Sequence, residues 1–294
     1  MDNLTKSIVL TPFNLLYKIS PKTTLKILFK LKLGYKLDLD NPKTYNEKLQ
    51  WIKLYDKNPL MPKCCDKYTV REYVESKGCG EILNELIWEG FDPEDIPFDK
   101  LPKKCVIKVT HGSTFNIICE DTSKLNREEV ISKCKKWLKA KFLACYGEWF
   151  YGIEKPRVIV ESFIESDDNE PLKDYKIFCF NGEPGFICVD SDRFTSHKRD
   201  FYTCDWKLMD GYAISYGKSG KVLPKPDCLD KLFEYSKKLS EDFLHVRVDF
   251  YIAGGKIYFG ELTFTNGAGF DKMEPVEFIN ETGAMLDLSK KSNN

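Results

Sequence analysis

The sequence predicts an α+β fold built on mainly antiparallel sheets. Helical patterns come first along the chain, and strands and single helices then alternate to its end. Two strand pairs are joined by dipeptides typical of tight hairpin turns, Asn181-Gly182 and Gly254-Gly255, and such turns connect antiparallel strands. With 294 residues, of which 42% are hydrophobic, the chain can bury the core of one large domain or of a few small ones.

Residues 1–65 are predicted to form a basic, helical N-terminal region. The first 37 residues hold seven lysines and one acid, Asp2. Ser20 is placed to cap a helix that begins at Pro21, and four apolar residues follow at helical spacing, Leu25, Leu28, Phe29 and Leu33. Such a helix either docks on the protein with its lysines in solvent, which is the commoner arrangement, or lies on an anionic membrane surface.

Two more helices are predicted before the first strand. In DNPKTYNEKLQWIKLYDKN a turn precedes a helical pattern, and Thr44 and Glu47 have the spacing of a capping box. The stretch CCDKYTVREYVESKGCG is predicted to form another helix, which ends at Gly78 or Gly80. A loop rich in Pro and Asp, GFDPEDIPFDKLPKK, follows it.

The rest of the chain is predicted to alternate strands and helices. The run from Cys105 to Thr110 is predicted to be a strand, and NREEVISKCKKWLKAKFLACYG a long amphipathic helix. The strand PRVIVESFI starts at Pro156, and the hairpin DYKIFCFNGEPGFICVDSD comes next. The helix CLDKLFEYSKKLSEDF then separates this hairpin from the last one.

Composition excludes several classes of protein. Lys and Arg number 45 and so do Asp and Glu, so the net charge gives no reason to expect a nucleic-acid partner. The 11 cysteines form no CxxC motif, which predicts reduced thiols in a cytoplasmic protein rather than a disulfide framework or a zinc site. The three histidines lie far apart in sequence, and neither a membrane span nor a secretory signal is predicted.

The last hairpin carries one carboxylate in each arm, Asp249 and Glu261. A turn at Gly254-Gly255 would place them nearly opposite one another, with Arg247 on the face of Asp249 and Thr263 on the face of Glu261. Two facing carboxylates repel unless a positive charge lies between them, and Arg247 and a divalent cation are the candidates. Oxygen ligands without His or Cys favour Mg²⁺. The alternative is a salt bridge on a solvated hairpin face.

Two other motifs carry charge at positions of interest. Lys108 lies inside a β-branched strand, and the loop THGST after it could cover phosphates with its backbone N–H groups, although its spacing excludes a P-loop. An exposed lysine on an edge strand is the alternative. Asp190 and Asp192 form an Asp-x-Asp motif of the kind that binds metal in many nucleotide-sugar glycosyltransferases, or else a charged strand end.

The hairpin RVDF, Gly-Gly, GELT resembles the C-terminal signature of the ATP-grasp superfamily, although Thr263 stands where that superfamily usually has Asn. Upstream, CCDKYTVREYV, VIKVTHGSTFNI and VIVESFI resemble its lysine, phosphate-loop and hinge motifs, with Thr114 where a Gly is expected. The TupA-like branch is the closer resemblance, through PKTYNEKLQWIKLYDKNP, HGSTFNII, DYKIFCFNGEP and GELTFTNGAGF. It extends from about residue 42 to residue 275.

The resemblance implies two α+β subdomains that grip ATP between mainly antiparallel sheets. Residues 66–160 would hold the phosphate loop, and residues 161–294 the adenine hinge and the metal site. ATP and Mg²⁺ are the implied cofactors. The implied metal ligands are Asp249, Glu261 and Thr263; the implied ATP contacts are Lys67, Lys108, His111, Gly112, Ser113, Glu161, Phe163, Ile164 and Asp174; and the implied catalytic residues are Arg247, Lys176 and Arg193. From the residues alone, Asp174 is equally well a turn residue that opens a strand.

The implied function is that of an ATP-dependent carboxylate–amine ligase, which forms an amide or peptide bond through an acyl phosphate. The implied acceptor is a cell-envelope or capsular polysaccharide, for example a uronic acid joined to an amino acid. Two rival functions are a glycosyltransferase that uses Asp190 and Asp192 and a non-catalytic nucleotide-binding scaffold. Contact of the lysine-rich N-terminus with the inner face of a membrane is the less common alternative to docking.

Overall fold

The computed structural model describes residues 3–166, 171–191 and 197–290, with side chains from Leu10 onwards. Within them, five α-helices precede the first strand, and the strands form a four-stranded and a five-stranded antiparallel sheet and a two-stranded ribbon of Ala213–Ile214 and Met273–Glu274. The α+β class and the N-terminal helical region are therefore confirmed. The first three helices are α1 (Asn3–Ile19), α2 (Pro21–Leu33) and α3 (Tyr45–Tyr55).

Local signals placed α2 and α3 correctly, whereas α1 was not predicted as a separate helix. The backbone N–H of Thr23 donates to Oγ of Ser20 at the start of α2, and Gly34 ends that helix in the left-handed conformation, with φ of 88°. Thr44 and Glu47 form the predicted capping box, in which each side chain accepts a hydrogen bond from the other residue's backbone N–H.

The helix predicted over CCDKYTVREYVESKGCG is confirmed only over Val70–Ser76, and a separate short helix ends at Cys65. Oδ1 of Asp66 accepts hydrogen bonds from the backbone N–H groups of Tyr68 (2.9 Å) and Thr69 (3.1 Å), and this turn separates the helices. The backbone N–H of Lys67 meanwhile donates to the carbonyl of Thr110. Lys67 is thereby fixed beside the predicted phosphate loop. The two helices are α4 (Leu60–Cys65) and α5 (Val70–Ser76).

The four-stranded sheet has the order β1-β4-β2-β3 and packs against one helix, α6. The predicted strands at Cys105 and after Pro156 are both confirmed, whereas the first and third strands were not predicted. The helix α6 is shorter than predicted, because after Leu138 the N–H of Ala140 turns back to the carbonyl of Trp137. The elements are β1 (Leu86–Gly90), β2 (Cys105–Val109), β3 (Asn116–Cys119), α6 (Arg127–Leu138) and β4 (Val158–Ser162).

The five-stranded sheet has the order β10-β9-β5-β6-β7. Both predicted hairpin turns are confirmed, since Asn181, Gly182, Gly254 and Gly255 all have positive φ, as a type I′ turn requires. The predicted helix between the hairpins is confirmed as well, and β7 was not predicted. The elements are β5 (Asp174–Phe180), β6 (Glu183–Ser191), β7 (Lys198–Thr203), β8 (Ala213–Ile214), α7 (Leu229–Ser240), β9 (His245–Ala253), β10 (Lys256–Thr263), β11 (Met273–Glu274) and α8 (Val276–Met285).

Apolar side chains form three clusters in the described residues. The largest lies between the five-stranded sheet and helices α3, α7 and α8, a second lies under the four-stranded sheet and α6, and a third joins α1 and α2 to Phe270. Each of the 11 cysteines is free, as expected. No helix in the described part of the chain has the length and apolarity needed to cross a membrane.

Candidate active site

A β-bulge in the last hairpin brings the two carboxylates together. From Lys256 to Phe259 the pairing of β10 with β9 is regular, and the register then shifts by one residue, so that Glu261 pairs with Asp249 and Thr263 with Arg247. Gly260 occupies the bulge. A Cβ at Gly260 would lie 2.9 Å from the carbonyl oxygen of Asp249, so the bulge needs glycine. The predicted opposition of the two acids is confirmed, although the bulge itself was not predicted.

Arg247 is bonded to three of the side chains around it. Its Nε and Nη2 donate to the two carboxylate oxygens of Asp249, both at 2.6 Å. Nη2 also lies 3.1 Å from Oγ1 of Thr263 and 3.5 Å from Oε1 of Glu261. Burial opposes the charge of this guanidinium, but Asp249 and Glu261 outweigh burial and raise its pKa well above the usual value. The positive charge predicted between the acids is therefore present in the protein itself.

Lys176 extends this cluster onto the neighbouring strand β5. Its Nζ donates to Oδ2 of Asp174 (2.5 Å) and to Oδ2 of Asp249 (2.8 Å), and its side chain is only 5% exposed. Burial alone would lower the pKa of Lys176, but Asp249 and Asp174 raise it. Lys176 thus joins Asp174 to Asp249 by direct contacts.

Glu261 is the accessible acid of the pair. Its side chain is 41% exposed, whereas that of Asp249 is 2% exposed. Burial would raise the pKa of Glu261, but the charges of Lys67, Arg247 and Lys176 lower it to about 2. The hydroxyl of Thr263 also donates to Oε1 of Glu261, at 3.2 Å. Glu261 is consequently ionised at neutral pH and open to a ligand on one side.

These side chains fit a magnesium ion by their chemistry. Among the described residues, no group of three or more His, Cys, Asp or Glu side chains is arranged to hold a metal ion. Asp249 and Glu261 offer two carboxylates and Thr263 a hydroxyl, all hard oxygen donors. Mg²⁺ in proteins is commonly bound by one or two carboxylates, with substrate phosphates and water as the remaining ligands. The donor set therefore suits Mg²⁺ bound together with a phosphate.

The predicted phosphate loop lies across from the hairpin and is held by Lys67. Nζ of Lys67 donates to the carbonyl of Gly112 (2.8 Å) and lies 4.0 Å from Oε2 of Glu261. His111 is buried at the base of the loop, where its Nε2 donates to the carbonyl of Ala140 and burial lowers its pKa. Lys67 thereby joins the loop to the carboxylate pair. The side chain of Ser113 is exposed at the loop's tip.

Lys108 and Glu161 lie on adjacent strands and form an ion pair, with 2.6 Å between Nζ and Oε2. Arg71, on α5, approaches the other oxygen of Glu161 at 3.6 Å and was not predicted from the sequence. Glu161 is buried, so two cations compensate its charge. Phe163 and Ile164 follow directly after β4 and are half-buried. The structure thus pairs two predicted ATP contacts, Lys108 and Glu161, and places two more, Phe163 and Ile164, just beyond the end of β4.

The Asp-x-Asp motif is only partly described. Asp190 is 1% exposed and accepts two hydrogen bonds from Arg199, on β7, at 2.6 and 2.8 Å. Burial would raise the pKa of Asp190, but Arg199, Lys176 and His197 lower it to about 2. Asp190 is therefore engaged in an internal ion pair. Asp192 and the predicted catalytic Arg193 lie outside the described residues.

The loop after β10 is clamped by α3, a link that the sequence did not reveal. Gly267, Ala268 and Gly269 all have positive φ. The carbonyl of Ala268 accepts a hydrogen bond from Lys53 (2.6 Å), and the carbonyl of Gly269 accepts hydrogen bonds from the side chains of Asn46 (3.1 Å) and Gln50 (2.9 Å). The motifs TYNEKLQWIK and TNGAGF are thus one structural unit, which fixes the chain directly beyond Glu261 and Thr263.

Comparison with known proteins identifies the family. The model of the TupA-like ATPgrasp family matches residues 47–287. The chain belongs to this family. No curated protein matches it. The ATP-grasp fold predicted from the sequence is therefore confirmed, and the matched range contains every site residue predicted from the sequence, from Lys67 to Thr263.

Several solved structures are similar to this chain at low identity. They include D-alanine–D-alanine ligase from Helicobacter pylori, with 14% identity, 82% of this chain and 68% of that chain covered and a TM-score of 0.49. L-amino acid ligase from Bacillus licheniformis has 13% identity, 86% and 56% coverage and a TM-score of 0.48. D-alanine–D-alanine ligase from Bacillus anthracis complexed with ATP has 17% identity, 69% and 55% coverage and a TM-score of 0.40. This chain spans little more than half the length of the last two.

Proposed function

We propose that the protein is an ATP-dependent carboxylate–amine ligase that forms an amide or peptide bond through an acyl phosphate. The observation that carries the proposal is the cluster of Asp249, Glu261, Arg247 and Lys176, which faces the loop held by Lys67. Membership of the TupA-like ATP-grasp family supports it.

In the proposed mechanism the chain binds ATP between the two sheets. Lys67 and Lys108 contact its phosphates, together with the backbone of His111, Gly112 and Ser113. Glu161 and the backbone of Phe163 and Ile164 receive the adenine, and Asp174 the ribose. Asp249, Glu261 and Thr263 would hold Mg²⁺, which neutralises charge on the phosphate oxygens when it is bound.

The reaction itself proceeds in two displacements. A substrate carboxylate oxygen attacks the γ-phosphorus of ATP, the bond to the bridging oxygen breaks, and ADP leaves. The amine then attacks the acyl carbon, phosphate leaves with the electron pair of the C–O bond, and the amine loses a proton. Arg247 is the residue suited to the anions formed on this path, because its guanidinium donates paired hydrogen bonds. Lys176 and Arg193 would complete the catalytic set on the acceptor side.

The finer parts of the proposal concern domains, substrate and location. We assign residues 1–65 to the N-terminal region, 66–160 to the subdomain with the phosphate loop and 161–294 to the subdomain with the hinge and metal site. The acceptor is proposed to be a carboxylate such as a uronic acid of a cell-envelope or capsular polysaccharide, and the donor an amine or amino acid. The reaction would take place in the cytoplasm, at the inner face of the membrane.

A coupled assay of phosphate release tests the ligase function. The protein is incubated with ATP and Mg²⁺ while uronic acids and amino acids are supplied singly and in pairs. Release of phosphate that needs both a carboxylate and an amine, and that is lost in Arg247→Met but kept in the exposed control Lys124→Ala, is the expected result. Phosphate release that is indifferent to the amine, or that survives Arg247→Met, would contradict the proposal.

A further inference from the structure

The helices α1 and α2 carry a surface that the proposed chemistry does not use. Both precede residue 47, where the match to the family begins. Their inner side packs through Leu25 and Phe29 against Phe270 and Tyr146, so the pair is fixed on the body of the protein. The outer side is free of such packing, and its residues follow a regular pattern.

On the outer side an exposed lysine recurs every four residues, and each of these lysines is followed by a second exposed residue. The pairs are Lys18-Ile19, Lys22-Thr23, Lys26-Ile27 and Lys30-Leu31. Residues four apart lie on the same face of a helix, so α2 presents a row of Lys22, Lys26 and Lys30 beside Thr23, Ile27 and Leu31, and the end of α1 adds Leu15, Lys18 and Ile19. Ile19 is 83% exposed, Leu31 68%, Leu15 58% and Ile27 39%. Single exposed aliphatic side chains are common on protein surfaces, but several exposed together usually mark an interaction site.

The charge of this surface is of one sign. Between Asn3 and Leu37 the sequence contains no acid. Among the described residues, none of the four lysines Lys18, Lys26, Lys30 and Lys36 forms a salt bridge, whereas Lys22 and Lys32 lie over aromatic rings of the protein. An anionic partner would therefore meet Lys18, Lys26 and Lys30, which are not already paired with carboxylates.

We propose that this outer surface binds an anionic membrane surface. We call it the α1–α2 face and define it by Leu15, Lys18, Ile19, Lys26, Ile27, Lys30 and Leu31. Aliphatic side chains enter the boundary between headgroups and acyl chains, and lysines beside them attract anionic lipid headgroups. The inference gives the proposed location of the ligase a physical basis. Membrane binding itself does not depend on the proposed function; the proposed function only explains why the protein would be located at a membrane.

The chemistry of the face favours lipid over a macromolecular partner. Lysine is depleted at the cores of protein–protein interfaces, where Arg and aromatic residues are enriched, yet the chain has no Arg before Arg71 and the face has no aromatic residue. Single-stranded nucleic acids are bound by stacking on aromatic rings, which the face also lacks. The lysine ammonium groups are point charges on flexible side chains and do not need a partner in a fixed orientation, which is appropriate for binding the headgroups of a fluid membrane.

Sedimentation with vesicles tests the proposal on the full chain. Vesicles of phosphatidylcholine alone are compared with vesicles that also contain phosphatidylglycerol. We expect binding to the anionic vesicles only, and we expect added salt to weaken it. Lys26→Gln/Lys30→Gln should weaken binding by about 25-fold, since each lysine near an anionic surface contributes about fivefold. The matched control Lys133→Gln/Lys136→Gln, on exposed positions of α6, should bind like the unaltered protein.

A second variant separates the aliphatic contribution from the charge. Ile27→Ser/Leu31→Ser should weaken binding and leave the salt dependence unchanged, because the lysines remain. Three results would each overturn the proposal. The α6 control could lose as much vesicle binding as Lys26→Gln/Lys30→Gln, or the protein could bind both kinds of vesicle equally well. It could also bind duplex DNA as tightly as it binds vesicles that contain phosphatidylglycerol. Titration with ATP and Mg²⁺ on the same preparations keeps the two proposals apart, since the α1–α2 variants should bind ATP normally whatever happens with vesicles.

Discussion

The ion pair between Asp190 and Arg199 gives a stability prediction with a defined pH dependence. Asp190 is buried, and its pKa is lowered from 3.8 to about 2, chiefly because hydrogen bonds from Arg199 outweigh burial. At 1.36 kcal/mol for each pKa unit, this shift corresponds to about 2 kcal/mol of stability. The substitution Asp190→Asn removes that contribution and leaves Arg199 without its anionic partner. Urea denaturation at pH 7 should therefore show a loss of about 2 to 3 kcal/mol in the free energy of unfolding.

The pH dependence follows from the direction of the pKa shift. Because the folded state binds the proton of Asp190 more weakly than the unfolded chain does, its contribution is present above about pH 4 and is lost as the pH falls from there towards 2. The stability difference between the unaltered protein and Asp190→Asn should thus be constant between pH 8 and 5, and should shrink below that range. Asp205 is a matched control, since its pKa is also lowered to about 2 but by exposed partners, so Asp205→Asn should have a much smaller effect.

Two results would refute this reasoning. One is an Asp190→Asn variant as stable as the unaltered protein at pH 7, and the other is a stability difference that stays the same between pH 5 and 3. Binding of a UDP-sugar that requires Mn²⁺ and disappears in Asp190→Asn would instead support the glycosyltransferase hypothesis. In that case Asp190 would act as a metal ligand rather than as the partner of Arg199.

Three further predictions use other features of the fold. Gly260→Ala places a Cβ 2.9 Å from the carbonyl oxygen of Asp249, so it should lower the free energy of unfolding by about 1 to 3 kcal/mol. It should also weaken the binding of ATP with Mg²⁺. Unchanged binding would show that the bulge does not determine the geometry of the site. Thr114 has φ of 66°, which disfavours a β-branched residue, so Thr114→Gly should raise thermal stability slightly, and a clear loss would contradict this. Burial lowers the pKa of Lys53 to about 7, so between pH 7 and 10 the unfolded chain binds this proton more strongly than the folded protein does. The stability of the unaltered protein relative to Lys53→Met should therefore rise over that range. A stability difference that does not change with pH would contradict this prediction.

Local sequence signals predicted much of the fold. The cap at Ser20, the capping box of Thr44 and Glu47 and the two hairpin turns each depend on a few neighbouring residues, and each is present in the structure. The strand β1 was missed because all five of its residues are half-buried, so its pattern does not alternate. The break at Asp66 was missed because a side-chain turn, rather than Gly or Pro, interrupts the helix.

The candidate site was predictable only where its residues are close in sequence. Asp249 and Glu261 are joined by a short hairpin, so their closeness followed from the turn, whereas their direct pairing depends on the bulge at Gly260, which was not predicted. The partners of other site residues come from distant segments, as with Arg71 beside Glu161 and the α3 clamp on the loop after β10. No periodicity or spacing in one sequence indicates such pairs, because they depend on how the sheets and helices pack.

The most direct test of the account is a calorimetric titration of ATP with and without Mg²⁺. It would use the unaltered protein and the double variant Asp249→Asn/Glu261→Gln, with Lys108→Ala as a test of the phosphate contact and Lys124→Ala as its exposed control. We expect Mg²⁺ to tighten ATP binding in the unaltered protein, the double variant to lose this dependence, and Lys108→Ala but not Lys124→Ala to bind ATP more weakly. ATP binding that depends on Mg²⁺ equally in the double variant would contradict the claim that these two carboxylates hold the metal against the phosphates.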